Sequence, residues 1–110
     1  MPTRLLLSNP ALLPVQAFFN SIGDDSFVRV IDCLTSGIGY SIDEADCTFP
    51  GDLDPDEAPF EGVRFSLFQD SIAISLDQLH DYLEVVCSHH ITLHPETSEY
   101  LKRMLSRNRK

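Results

Sequence analysis

Apolar positions along the chain recur first at helical spacing, then in alternation, then at helical spacing again. Asn9 followed by Pro10 is a helix-start pair: an amide that can accept from a free backbone N–H, next to a residue whose φ is already set for a helix. Behind it Leu12, Leu13, Val15, Phe18 and Phe19 form one apolar face, and Pro14, late for a first turn, places the helix start after itself. Asn20 to Gly23 interrupts the pattern. Asp24, Asp25 or Ser26 then caps a second helix, in which Phe27, Val30, Ile31 and Leu34 recur until Gly37 and Gly39 stop it. The two segments predict a helical hairpin.

From Tyr40 to Pro59 the helical period is lost, and Pro50, Gly51, Pro55 and Pro59 mix with acids, which predicts a loop held to the body by Tyr40, Ile42, Phe49 and Leu53. Val63, Phe65 and Leu67 then alternate with Arg64, Ser66 and Phe68. Ile72 and Ile74 alternate with Ala73 and Ser75 across a turn at Gln69-Asp70-Ser71, so this stretch predicts a β-hairpin. Ser75 with Gln78 three residues later is a capping box, opening a long helix with Leu76, Leu79, Leu83, Val86, His90 and Leu93 on or near one face. Pro95 and Glu96 start a last helix that turns Tyr100, Leu101, Met104 and Leu105 inward. The expected fold is therefore one small α+β domain over residues 1–110, mostly helical with a short antiparallel β-hairpin.

Composition narrows what such a domain does. The chain has 110 residues, 43% hydrophobic and 23% charged, enough for one modest core and too few for a deep catalytic cavity. Its formal charge is -9, from 17 acids and 8 bases, and five of the bases (Lys102, Arg103, Arg107, Arg109, Lys110) lie at the extreme C-terminus. Arg4, Arg29 and Arg64 are thus the only bases among residues 1–101, which hold every acid. That balance argues against gripping nucleic acid or an anionic membrane and for a basic protein partner. Eight acids and no base fall between Asp43 and Glu61, the densest single-sign stretch. Three cysteines, Cys33, Cys47 and Cys87, form no even disulfide set. With Leu5-Leu6-Leu7 too short for a signal core, the expected location is the cytoplasm.

Several residue sets suggest chemistry. Cys87, His90 and His94 fall at i, i+3 and i+7, the spacing of ligands sharing a helix face, but Pro95 disturbs the helix beside His94, so a buried Cys87 and His90 with His94 capping the last helix is the simpler reading. Cys87 with His90, or His80 with Asp81, would pair a nucleophile or acid with a base, yet a reactive thiol needs an electropositive setting that three bases do not supply, and His80 reads as solvated. Asp52-Leu53-Asp54-Pro55-Asp56 has the alternate carboxylates of a calcium loop without its glycine and terminal glutamate. No phosphate loop, nucleophile elbow or zinc-protease signature occurs. The expectation is a protein that is not an enzyme and needs no cofactor or metal.

Phe60-Glu61-Gly62-Val63-Arg64-Phe65, the hairpin after it, and Tyr82-Leu83-Glu84-Val85-Val86-Cys87 leading to His94-Pro95-Glu96 resemble the immunity proteins of bacterial contact-dependent growth inhibition (CDI), as do Gly37-Ile38-Gly39-Tyr40 and Phe49-Pro50-Gly51-Asp52 upstream. The resemblance implies a cytosolic antidote that binds, one to one, the C-terminal toxin domain of a cell-surface protein, a domain that in this branch is usually a ribonuclease. An acidic inhibitor suits a site built to attract phosphates and speeds its own encounter with it. Asp43, Glu44, Asp46, Asp52, Asp54, Asp56 and Glu57 are the expected toxin-facing residues, with Tyr40 and Phe49 as anchors; the alternative face is Asp77, Asp81 and Glu84 on the long helix. The shared residues themselves read as scaffold: Gly62 for a strand irregularity, Pro95 for a helix start, Phe65 and Leu83 for the core. Two other functions compete: an acidic adaptor for a different basic protein, and a small metal-dependent hydrolase built on Cys87, His90 and His94.

Overall fold

Asn9 opens the first helical region as its sequence predicts. Its Oδ1 accepts from the Ala11 N–H at 3.0 Å and a 3₁₀ turn covers Pro10–Leu12, but α1 (Leu13–Asn20) starts before Pro14 rather than after it, with Pro14 in the first turn, where a missing N–H costs nothing. The computed structural model describes residues 5–52, 55–56 and 61–108. Within them an extended segment runs beside α1, held by amide side chains acting as a substitute strand. Asn20 accepts from the Leu5 N–H and donates to the Leu5 carbonyl, both at 2.9 Å, and Gln16 accepts from the Leu7 N–H at 2.7 Å. This clamp holds Leu5 in the core.

The second helix, α2 (Phe27–Thr35), buries Phe27, Val30, Ile31 and Leu34 as its period requires. It ends at Gly37, whose φ of +76° lets the Gly37 N–H reach the Leu34 carbonyl (3.2 Å) and the Ile38 N–H reach the Cys33 carbonyl (2.9 Å). Two expectations are corrected here. The Ser26 side chain makes no capping bond, because Asp24–Ser26 forms a 3₁₀ turn leading into the helix. The first two helices also do not make a hairpin: α1 packs on the strands and α2 on the last helix.

Residues 40–48 are strand rather than loop. β1 (Tyr40–Ile42) and β2 (Ala45–Thr48) pair through the two-residue turn Asp43-Glu44, and β3 (Val63–Leu67) and β4 (Asp70–Ile74) complete an antiparallel sheet in the order β1-β2-β3-β4. Tyr40, Ile42, Ala45 and Cys47 face inward and Ser41, Asp46 and Thr48 outward, an alternation that the interspersed acids mask. The register sets Cys47 opposite Phe65 and Phe65 opposite Ile72. α1 lies across this inner face, with the Phe18 and Phe19 rings edge-on at 5.4 Å and the Phe65 ring 5.4 and 5.7 Å from them. The second turn is Phe68-Gln69, with Phe68 at φ +55°, so Asp70 and Ser71 belong to β4.

The capping box is present in both directions, Gln78 N–H to Ser75 Oγ and Ser75 N–H to Gln78 Oε1 at 3.0 Å each, and starts α3 (Leu76–Leu93). Its buried face is Leu79, Leu83, Val86, Cys87 and His90 with His80 added, whereas Leu76 and Leu93, at its two ends, are exposed. A 3₁₀ turn at Pro95–Thr97 leads into α4 (Ser98–Asn108), where Leu101 is buried, Met104 and Leu105 are half-buried, and Tyr100 is exposed rather than inward. The basic end of the chain has a structural use: Arg107 donates to Asp32 Oδ1 at 2.7 Å and to Thr35 Oγ1 at 2.8 Å, tying α4 to the carbonyl end of α2.

Candidate functional site

The two strand turns lie side by side at one end of the sheet. Ala45 pairs with Leu67, so the Asp43-Glu44 turn sits next to Phe68-Gln69, and the Phe68 N–H reaches the Glu44 carbonyl at 3.5 Å. Asp43 takes a φ of +51°, which aspartate tolerates better than most residues, and Asp43, Glu44 and Asp70 are all exposed around the tips. Between them the Phe68 ring is 77% exposed. No Lys or Arg occurs in residues 40–48 or 65–72, so this end combines an uncovered aromatic ring with carboxylates of one sign.

The remaining acids of the stretch lie elsewhere. Asp46 is half-buried on the outer face of β2. Asp52 ends a 3₁₀ turn over Pro50–Asp52, beyond the other end of β2, which is itself about 13 Å along the strand from Glu44. Asp56 is exposed in the turn after it; the Asp52 side chain and residues Asp54, Glu57 and Leu53 lie outside the described residues. Tyr40 is half-buried and Phe49 buried, both packed into the core, so their rings tie the strands to the body. Phe68, absent from the expected set, has one signal in the sequence: it is an aromatic in the outward phase of an amphipathic strand. On the long helix Asp77 and Asp81 are exposed, while Glu84 accepts from His80 Nε2 at 2.8 Å, which makes His80, 8% exposed, a partnered buried histidine instead of a solvated one.

The histidines at the far end of α3 meet a different partner from the one their spacing suggests. His90 is 2% exposed, its ring stacked on Phe27 at 4.1 Å. His94, one turn on, stands 4.6 Å from it, ring to ring. His94 does not cap the last helix through its side chain; its carbonyl accepts from the Thr97 N–H and hydroxyl, which frees the imidazole to face Asp24, Nε2 to Oδ2 at 3.3 Å. One ligand atom from each of Asp24, His90 and His94 falls within 4.8 Å of the other two, so the third member of this group is Asp24 and not Cys87. Burial pushes the Cys87 thiol up to about 12, so it holds no thiolate near neutrality and cannot serve as a nucleophile there.

No helix among the described residues is long and apolar enough to cross a membrane. The family described as CDI immunity protein matches the chain over residues 12–105. The search of curated proteins gave no match.

Proposed function

The chain belongs to the CDI immunity protein family, and from that premise we propose that it is the cytoplasmic antidote to a ribonuclease toxin domain, which it binds one to one without catalysis. The end of the sheet that carries Phe68, Asp43 and Glu44 is the docking surface. The observation behind this is the exposed Phe68 ring set among carboxylates: an aromatic anchor for burial and acids for steering, both suited to a basic, phosphate-attracting site. Covering about 150 Å² of ring surface at roughly 25 cal/mol per Å² gives an upper bound near 4 kcal/mol, the range of an interface hot spot. Asp46 borders the contact. Asp52, Asp54, Asp56 and Glu57 add longer-range attraction through their charge.

The test separates the two roles. Asp43→Lys with Glu44→Lys is expected to slow association with the toxin domain and flatten its salt dependence. Phe68→Ala is expected to raise the dissociation rate about 30-fold or more with association nearly unchanged. Wild-type kinetics in both variants would move the interface to another face, of which Asp77 and Asp81 on α3 is the first to try.

A further inference from the structure

We propose that Asp24, His90 and His94 form a zinc site that locks the turn before α2 to the last turn of α3. His90 and His94 are four residues apart, the spacing at which two imidazoles on one helix face reach a common ion, and Asp24 arrives from a segment distant in sequence. Ligands about 2.0–2.1 Å from a tetrahedral zinc stand about 3.3 Å apart. The Asp24 Oδ2 to His94 Nε2 distance is already 3.3 Å, and the three ligand atoms lie within 4.8 Å of one another, so small side-chain rotations close the set.

Two further features fit a metal. With Nε2 of His94 directed at Asp24, Nδ1 of the same ring stands 3.7 Å from Glu96 Oε2, just outside hydrogen-bond distance, so a small rotation of Glu96 would complete the carboxylate–histidine arrangement that orients a ligand and raises its basicity. Phe27, stacked on His90, fixes that ring on the site's inner wall, while Asp24 is exposed and His94 half-exposed, which leaves an entry path and a fourth position for water. Donors of this kind, two imidazole nitrogens and one carboxylate, suit zinc over calcium or magnesium, which take oxygen ligands. The ion acts structurally, because cross-linking positions 24, 90 and 94 ties together the segments on which α2 and α4 begin.

The experiment is a calorimetric titration of the full chain, stripped with chelator, with zinc chloride, repeated on Asp24→Ala, His94→Ala, Glu96→Gln and Cys87→Ala. Circular dichroism of each metal-free variant checks that it is folded. One zinc per chain at micromolar affinity or tighter is expected, with a rise of several degrees in thermal midpoint. Affinity should fall at least tenfold in Asp24→Ala and His94→Ala, several-fold in Glu96→Gln, and stay within about twofold in Cys87→Ala. Absence of saturable binding by the wild-type chain would overturn the proposal. So would equal affinity in folded Asp24→Ala, or a loss in Cys87→Ala and His94→Ala with none in Asp24→Ala, which would mark the Cys87, His90 and His94 set instead.

Discussion

Gly62 is the position where one added methyl group should do the most damage. It stands immediately before β3 at φ +83°, and a Cβ built there falls inside contact distance of the Ile74 carbonyl oxygen, with the Ile74 carbonyl carbon at 3.0 Å and Ser75 Cα at 3.3 Å. All of these are backbone atoms of the segment that ends β4 and begins α3, so no side-chain rotation relieves the clash. Two costs add in Gly62→Ala. The left-handed conformation costs a non-glycine residue about 1–2 kcal/mol, and forcing the strand and helix apart costs about 1–3 kcal/mol. A stiffer unfolded chain returns roughly 0.4–1 kcal/mol. The net is about 1–4.5 kcal/mol, centred near 3, a large share of the stability of a small domain. Gly37 provides the control: its φ is +76° and a Cβ there meets nothing within 4 Å, so Gly37→Ala carries the conformational cost alone, about 1 kcal/mol. Urea unfolding followed by circular dichroism measures both. A midpoint shift for Gly62→Ala at least twice that for Gly37→Ala is expected; equal shifts would refute the steric argument, and no shift in either would refute the backbone argument as well.

Other substitutions test other parts of the fold. Ser75→Ala removes one arm of the capping box and should cost about 1 kcal/mol in the same urea assay, since the Gln78 N–H then loses its acceptor. Arg107→Ala should cost about 0.5–1 kcal/mol, less at high salt, because the Asp32 and Thr35 contacts are only partly shielded from water. Cys87 gives a pH signature: its thiol ionises near 9 when unfolded and at about 12 in the folded chain, so between those values the unfolded state holds fewer protons and stability falls as pH rises. Comparing wild type with Cys87→Ala from pH 8 to 11 should isolate that slope, and identical slopes would contradict the burial of the thiol.

The helices were legible because their signals are local. Asn9 with Pro10, Ser75 with Gln78 and Pro95 with Glu96 each act within one turn, and Phe27, Val30, Ile31 and Leu34 keep a period that tertiary packing did not override. β1 and β2 were obscured because three- and four-residue strands offer little period to read, and the acids at 43, 44 and 46 look like loop although they occupy a turn and an outward position. The inward set Tyr40, Ile42, Ala45 and Cys47 was the available signal. Helix ends misled in the other direction: Leu76, Leu93 and Tyr100 have the right phase but remain more than half exposed among the described residues. Of the candidate sites, the acidity of the Asp43-Glu44 turn was readable, while its meeting with Phe68 depends on strand register. Likewise the pairing of His94 with Asp24 across 70 positions has no sequence pattern at all.

The central claim is that this chain silences a ribonuclease. The direct measurement is cleavage of total cellular RNA by the cognate CDI toxin domain, with the chain added from zero to twofold molar excess. Cleavage falling to background at a one-to-one ratio is the predicted result. Full cleavage at twofold excess, with both proteins folded and at micromolar concentration, would contradict it.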